Sequence, residues 1–280
     1  NISISNNQLM KLNVLIKSIL FVDLSNIRIN FSNFTLIYTL TDLISLDLSY
    51  NYISRENLRF LKITELKNLK RLILIKINLR PDDSIKFLDN LEMLDELDFS
   101  ENDFLKNDGK FMEKSIKLTI LKLRKCNFEY IDPLFLDLKN FPRLKYIDLS
   151  LNRLKEFPSI PQILNFLNLS HNDLSMYDYE KNFDTLDLSF NNLNSFNYSR
   201  KYNFFKINNN NLNSLGMLKD VNFFYAYRNN LEEICFFHYK ESKIMNFNEN
   251  QIKILKSACG VRLINSLYNQ VILFYLSNNQ

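Results

Sequence analysis

The chain holds 280 residues, 46% apolar and 24% charged, with 35 basic against 31 acidic side chains and a net charge of +4: a globular composition with little charge for a polyelectrolyte to grip. Its only glycines, Gly109, Gly216 and Gly260, cannot build a phosphate loop, and two histidines and three cysteines without ligand spacing argue against a metal centre or a catalytic triad. No apolar run approaches the roughly 20 residues that cross a bilayer, so neither a cofactor nor membrane insertion within this chain is expected.

The informative feature is internal repetition. The pattern L-x-x-L-x-L-x-x-N-x-L reads as LISLDLSYNYI from Leu43, LKYIDLSLNRL from Leu144 and FDTLDLSFNNL from Phe183. Aligned on its fourth position, the chain gives Ile2, Val22, Leu46, Leu72, Leu97, Leu121, Ile147, Leu167, Leu186, Phe205, Phe224, Met245 and Ile264, all apolar. The sixth position is apolar in every unit except the last, where it falls on Ser266. The ninth is Asn in ten units; Ile27, Ile77 and Cys126 are the exceptions. With roughly 41 asparagines in the chain, chance would place about two in such a column.

Strand side chains alternate, so the fourth and sixth positions point inward together, and the eleventh turns inward after the chain bends off the strand. One such wedge cannot bury itself, and neighbours must stack. The expected fold is α/β: a leucine-rich-repeat solenoid, or horseshoe, with a concave parallel sheet, about thirteen repeats and a few short convex helices. The ninth-column amide would serve backbone groups stranded at the bend, a service lost at Ile27 and Ile77 and only weakly replaced by the Cys126 thiol.

Units up to Ile147 run mostly 24 to 26 residues, long enough for a helical turn on the back at Ser54 to Leu61 and at Asp83 to Leu88, after Pro81. Beyond Ile147 they shorten to 19 to 21 residues, which predicts a flatter half with extended or turn-like backs. Two frames compete at the end: Ile264, Ser266, Asn269 and Val271 keep the short spacing, while VILFYLSNNQ from Val271 matches again; the first is preferred. Both ends fall mid-unit, so a single domain spanning 1–280, cut from a longer array without its caps, is expected.

Positions 3, 5, 7 and 8 face away from the core. Position 5 carries Asp23, Asp47, Asp98, Asp148 and Asp187, read as the ordinary strand sequence LDLS and not as an acidic ligand site. The later units instead place Phe166, Phe204, Lys206, Phe223, Tyr225, Tyr227 and Arg228 outward, aromatic and cationic anchors of the kind a protein partner needs. His171 reads as a solvated surface residue, and His238 lies on the return side. Cys235 and Cys259, 24 residues apart on the return sides of successive units, are within reach of a disulfide. Sequons at Asn1, Asn30, Asn33, Asn168 and Asn197 are no more than an asparagine-rich chain holds by accident; a glycan at Asn168 would obstruct the face.

The repeats resemble those of extracellular animal leucine-rich-repeat proteins, Toll-type receptor ectodomains and insect leucine-rich immune proteins. The strand LNFLNLSHNDL and the segment SACGVRLINSLYNQ look like the last repeats of mosquito immune proteins that hold a complement-like thioester protein, although the cysteine-rich rear module and coiled coil of that family are absent. The resemblance implies a secreted or ectodomain glycoprotein of innate immunity that is not an enzyme and binds a complement-like or receptor protein. The rival expectation is an intracellular scaffold or regulatory subunit in the cytoplasm. Nucleic acid is not an expected partner.

Overall fold

The computed structural model of the chain describes residues 1–7, 18–28, 40–53, 63–78, 91–104, 115, 117–131, 140–160, 164–177, 183–196, 201–216, 221–235, 243–256 and 273–279. They form two compact units, Asn1–Asp148 with Pro158–Pro161, and Leu149–Phe157 with Gln162–Gln280.

In the first unit, β1 (Ile2–Ser3), β2 (Phe21–Asp23), β3 (Ser45–Asp47), β4 (Arg71–Ile73), β5 (Glu96–Asp98), β6 (Ile120–Lys122) and β7 (Tyr146–Asp148) pair in chain order, all parallel. The register is the repeat register: Val22 lies opposite Leu46, Leu46 opposite Leu72, and so on to Leu121 opposite Ile147. Among the described residues of this unit, the only helical turn is the 3-10 turn Ile63–Glu65. The helical candidates Ser54 to Leu61 and Asp83 to Leu88 lie outside the described residues.

The second unit holds β8 (Phe166–Asn168), β9 (Thr185–Asp187), β10 (Ser195–Phe196), β11 (Tyr202–Lys206), β12 (Ser214–Leu215), β13 (Val221–Tyr225), β14 (Glu233–Cys235), β15 (Ile244–Asn246), β16 (Ile254–Lys256) and β17 (Leu273–Tyr275). Strands β8, β9, β11, β13, β15 and β17 make a parallel sheet in that order. On the return side β10 pairs with β12 and β14 with β16, again parallel. A unit of 19 to 21 residues is too short for a helix, and an extended return segment closes the coil instead.

Burial follows the repeat columns. Positions 1, 4, 6 and 11 are inside, as shown by Leu43, Leu46, Leu48 and Ile53 in one coil and Tyr202, Phe205, Ile207 and Leu212 in another. Leu48, Leu149 and Leu188 are each fully buried. The second unit fills its core with rings: Phe196, Phe205, Phe224 and Phe247 follow one another along the coils at centroid separations of 5.0, 5.4 and 5.4 Å, tilted, stacked and edge-to-face in turn.

The asparagine rung is a hydrogen-bond hub. Asn210 Nδ2 donates to the carbonyls of Leu188 and Ile207, both at 3.0 Å, and its Oδ1 accepts from the Leu193 N–H at 3.0 Å. Asn172, Asn191, Asn229 and Asn250 repeat the set. From Leu149 to Phe247 each sixth-position carbonyl thus receives two amides, one from its own coil and one from the next. What brings the rung inward is the residue before it. From Asn6 and Asn26 to Glu249 and Asn278, every described position 8 is left-handed, with φ between 49° and 60°, and none is glycine. That conformation costs about 1–2 kcal/mol for a side-chain-bearing residue, which the rung bonds must offset.

At Ile77 and Cys126 the expected loss of hydrogen bonding is corrected on the acceptor side only. Among the described residues the coils of Ile27, Ile77 and Cys126 alone carry a second left-handed residue at position 10, namely Arg28, Asn78 and Asn127, with φ of 50°, 60° and 61°. The altered path lets a backbone carbonyl take over the acceptor half of the missing amide's work, while the carbonyls of Leu48 and Leu74 are left with one amide each, from Asn51 and Asn102. The Ile53 N–H donates to the Ile77 carbonyl at 3.2 Å, and the Phe104 N–H to the Cys126 carbonyl at 2.9 Å. The N–H groups of Ile27 and Ile77 donate in turn to Asn51 and Asn102 of the following coils, each at 3.1 Å. The Cys126 thiol reaches the Phe99 carbonyl at 3.4 Å, a weak copy of the amide donation.

The preferred frame of the last coil is also corrected. The strand beside β15 is β17, with Met245 opposite Phe274, so VILFYLSNNQ supplies it. Asn279 is its rung: Nδ2 donates to Leu276 at 2.8 Å and to Phe247 at 3.2 Å, and Oδ1 accepts from Ile252 at 3.2 Å. The physical reason is that this frame puts Leu276 at the sixth position and Asn279 at the ninth, where the other puts Ser266 in an apolar column. Ile264, Ser266 and Asn269 themselves lie outside the described residues.

Candidate functional site

The acidic column serves the backbone. Oδ1 of Asp23, Asp47, Asp98 and Asp187 accepts the N–H two residues on, from Ser25, Ser49, Ser100 and Ser189, at 2.8 to 3.0 Å. Asn168 and Asn246 do the same for Ser170 and Asn248, so the amide substitutes for the carboxylate. Where position 5 holds Ile73 or Lys122, the N–H of Ile75 or Arg124 turns to the hydroxyl of Ser49 or Ser100 in the previous coil. Burial works to raise the Asp23 carboxyl, but bonds from Ser25 and Ser3 outweigh it and hold it below the usual range. Asp47 is more deeply placed, and there burial wins over Ser49 and raises it.

The outward face of the first unit is a charge network. Glu96 sits between Arg71 at 2.8 Å and Lys122 at 2.7 Å. Burial opposes its ionisation, yet Lys122 and Arg71 together lower its pKa. Beside it, burial first and then Asp148, Asp98 and Glu96 raise the Tyr146 phenol.

The second unit presents a different surface. Register places Thr185, Phe204, Phe223 and Ile244 side by side, with Asp187, Lys206, Tyr225 and Asn246 in the parallel column. The Phe204 ring lies 5.7 Å from Phe223 and 5.3 Å from Tyr225, tilted by 32° and 35°. These rings are half-buried because they lean on one another. Lys206 Nζ stands 5.3 Å from the Phe204 centroid and 3.4 Å from Asp187. Lys243 Nζ stands 5.9 Å from the Phe223 centroid. Along one rim Arg228 pairs with Glu249 at 2.7 Å, which raises its pKa, and His171 stacks on Phe190 at 4.1 Å and 9°.

The sequence-derived set therefore divides. Phe204, Lys206, Phe223 and Tyr225 come together; Phe166 lies at the same position on β8, across Thr185; Tyr227 and Arg228 belong to the rim. Lys243 was missed because it precedes its strand by one residue, although extending the repeat alignment to position 2 of its unit would have found it. Cys235 ends β14 opposite Lys256, while Cys259 lies outside the described residues, as do His238 and the sequons at Asn30, Asn33 and Asn197. Asn1 is exposed; Asn168 is half-buried with its Oδ1 engaged. Among the described residues no cluster of His, Cys, Asp and Glu could hold a metal, and no helix is long and apolar enough to cross a membrane.

No family model and no curated protein matches the chain. A solved structure of a leucine-rich-repeat protein from Leptospira interrogans is similar, with a TM-score of 0.58 and 19% identity over 100% of this chain and 84% of that one. With the parallel strands and asparagine rungs above, the likeness establishes a leucine-rich-repeat type of solenoid fold.

Proposed function

We propose that this chain is a non-enzymatic protein-binding module that holds a partner against the outward face of β9, β11, β13 and β15. One observation carries the reading: Phe204, Phe223 and Tyr225 sit in register on adjacent strands, on the side of the sheet away from the core. Rings that the core does not use, set on a rigid ladder, lose little conformational freedom when covered and make strong anchors. A typical solenoid offers its strands in this way.

The test is capture of partners from native extract by the whole chain and by a variant with Tyr225→Ala and Tyr227→Ala. Capture should fall while thermal unfolding barely moves. Undiminished capture sinks the proposal, and a large drop in melting temperature would make the rings structural. The setting that the repeat resemblance suggests is a secreted or extracellular innate-immune protein with a complement-like or receptor partner. A cytoplasmic scaffold is the second reading; in that setting a buried thiol such as Cys126, which burial holds far above its ordinary pKa and so in its inert form, would be ordinary. Mass analysis of the native protein separates the two: occupied sequons or a Cys235 to Cys259 bridge support secretion.

A further inference from the structure

Resting on that reading of the face, we infer that the partner segment carries a carboxylate beside an aromatic or aliphatic side chain. The carboxylate meets Lys243, and its apolar neighbour seats on Phe204, Phe223 and Tyr225. The argument is one of charge complementarity. Three cations border the rings. Lys206 is balanced by Asp187 at 3.4 Å and Arg228 by Glu249 at 2.7 Å. Lys243 is exposed and, among the described residues, no carboxylate pairs with it; its Nζ contact is the Phe223 ring at 5.9 Å. Among the described residues the platform thus presents the Lys243 charge without a counter-charge, next to three half-buried rings.

An anion arriving at that ammonium gains an ion pair that the covered rings shield from water, so each half of the contact strengthens the other. A basic segment would meet Lys243 as a like charge and would find Asp187 and Glu249 already paired with Lys206 and Arg228. A neutral glycan fits less well, since it would leave Lys243 without a counter-charge.

The test is selection from a random linear-peptide display library on the immobilised whole chain, followed by affinity measurement with one enriched synthetic peptide. Enriched sequences should carry Asp or Glu next to Phe, Tyr or Leu. Lys243→Glu should weaken the chosen peptide at least about tenfold, and exchanging that peptide's acid for Lys should recover most of the loss on the variant. Because Lys243 is exposed, this reversal leaves the fold intact, and thermal unfolding of the variant checks that it does. Enrichment of Lys or Arg, or equal binding by Lys243→Glu, overturns the inference. Acid-free peptides that are nevertheless lost on Phe204→Ala overturn it while the protein-binding reading stands. Peptides indifferent to Phe204→Ala overturn both. Binding of a neutral glycan, or a soluble dimer, abolished by Phe204→Ala assigns the face to another occupant and likewise overturns it.

Discussion

Replacing Asn210 with alanine tests the rung directly, and the geometry sets the size of the effect. The residue is 7% exposed; its Nδ2 donates to two carbonyls at close range and its Oδ1 accepts from one N–H. The three partners do not suffer equally. Leu188 O keeps the amide of Asn191 at 3.1 Å, and Ile207 O keeps that of Asn229 at 3.1 Å. Only the Leu193 N–H is left with no acceptor. An orphaned buried donor costs about 1–3 kcal/mol and each shared bond about 0.5–1.5 kcal/mol, so the substitution is expected to cost roughly 2–6 kcal/mol. Urea unfolding of the whole chain, followed by circular dichroism, measures it. Asn210→Asp sharpens the test. A carboxylate can still accept from Leu193 but is a buried charge facing two carbonyl oxygens that repel it, so at neutral pH it is expected to be worse than alanine. Protonation at low pH restores one donor, and the gap to wild type should narrow as pH falls. A cost for Asn210→Ala below about 1 kcal/mol, or an Asp variant whose penalty ignores pH, would refute the hub.

Leu169, fully buried at a sixth position, is expected to cost about 2–5 kcal/mol as alanine, read from the same urea titration. Asp47→Asn is expected to stabilise the chain near neutral pH. A carboxyl raised by folding contributes its stability below its unfolded pKa and loses it as pH rises through the folded value, whereas Asn keeps the acceptor for Ser49 as Asn168 does. The gain should vanish towards about pH 3, and a variant less stable than wild type at neutral pH would contradict it. Asn127→Val places a β-branched residue at a left-handed position and is expected to cost about 1–2 kcal/mol or more, whereas Asn127→Gly should be close to neutral. Equal melting temperatures for the two would show that the second left-handed residue does not sustain the Cys126 bend.

The sequence by itself determined the coil. Columns such as Leu46, Leu72 and Leu97, with Asn51 and Asn102 beside them, admit one stacking, because period-two strands bury the fourth and sixth residues together and a buried bend must satisfy its backbone. It also indicated which side chains face outward, since Phe204, Lys206, Phe223 and Tyr225 alternate with the core. What only the tertiary structure decided were matters in which one coil depends on its neighbour. A carbonyl replaces the amide as acceptor at Ile77 and Cys126 through a left-handed residue that no composition signal marks. The last strand is Leu273–Tyr275 because that frame completes both the apolar column and the rung. Lys243 stands over a ring belonging to the coil before it, and Asp47 rises in pKa where Asp23 falls, because burial differs between adjacent coils of the same sequence pattern. Periodicity specifies what every coil shares; contacts across coils specify how each one differs.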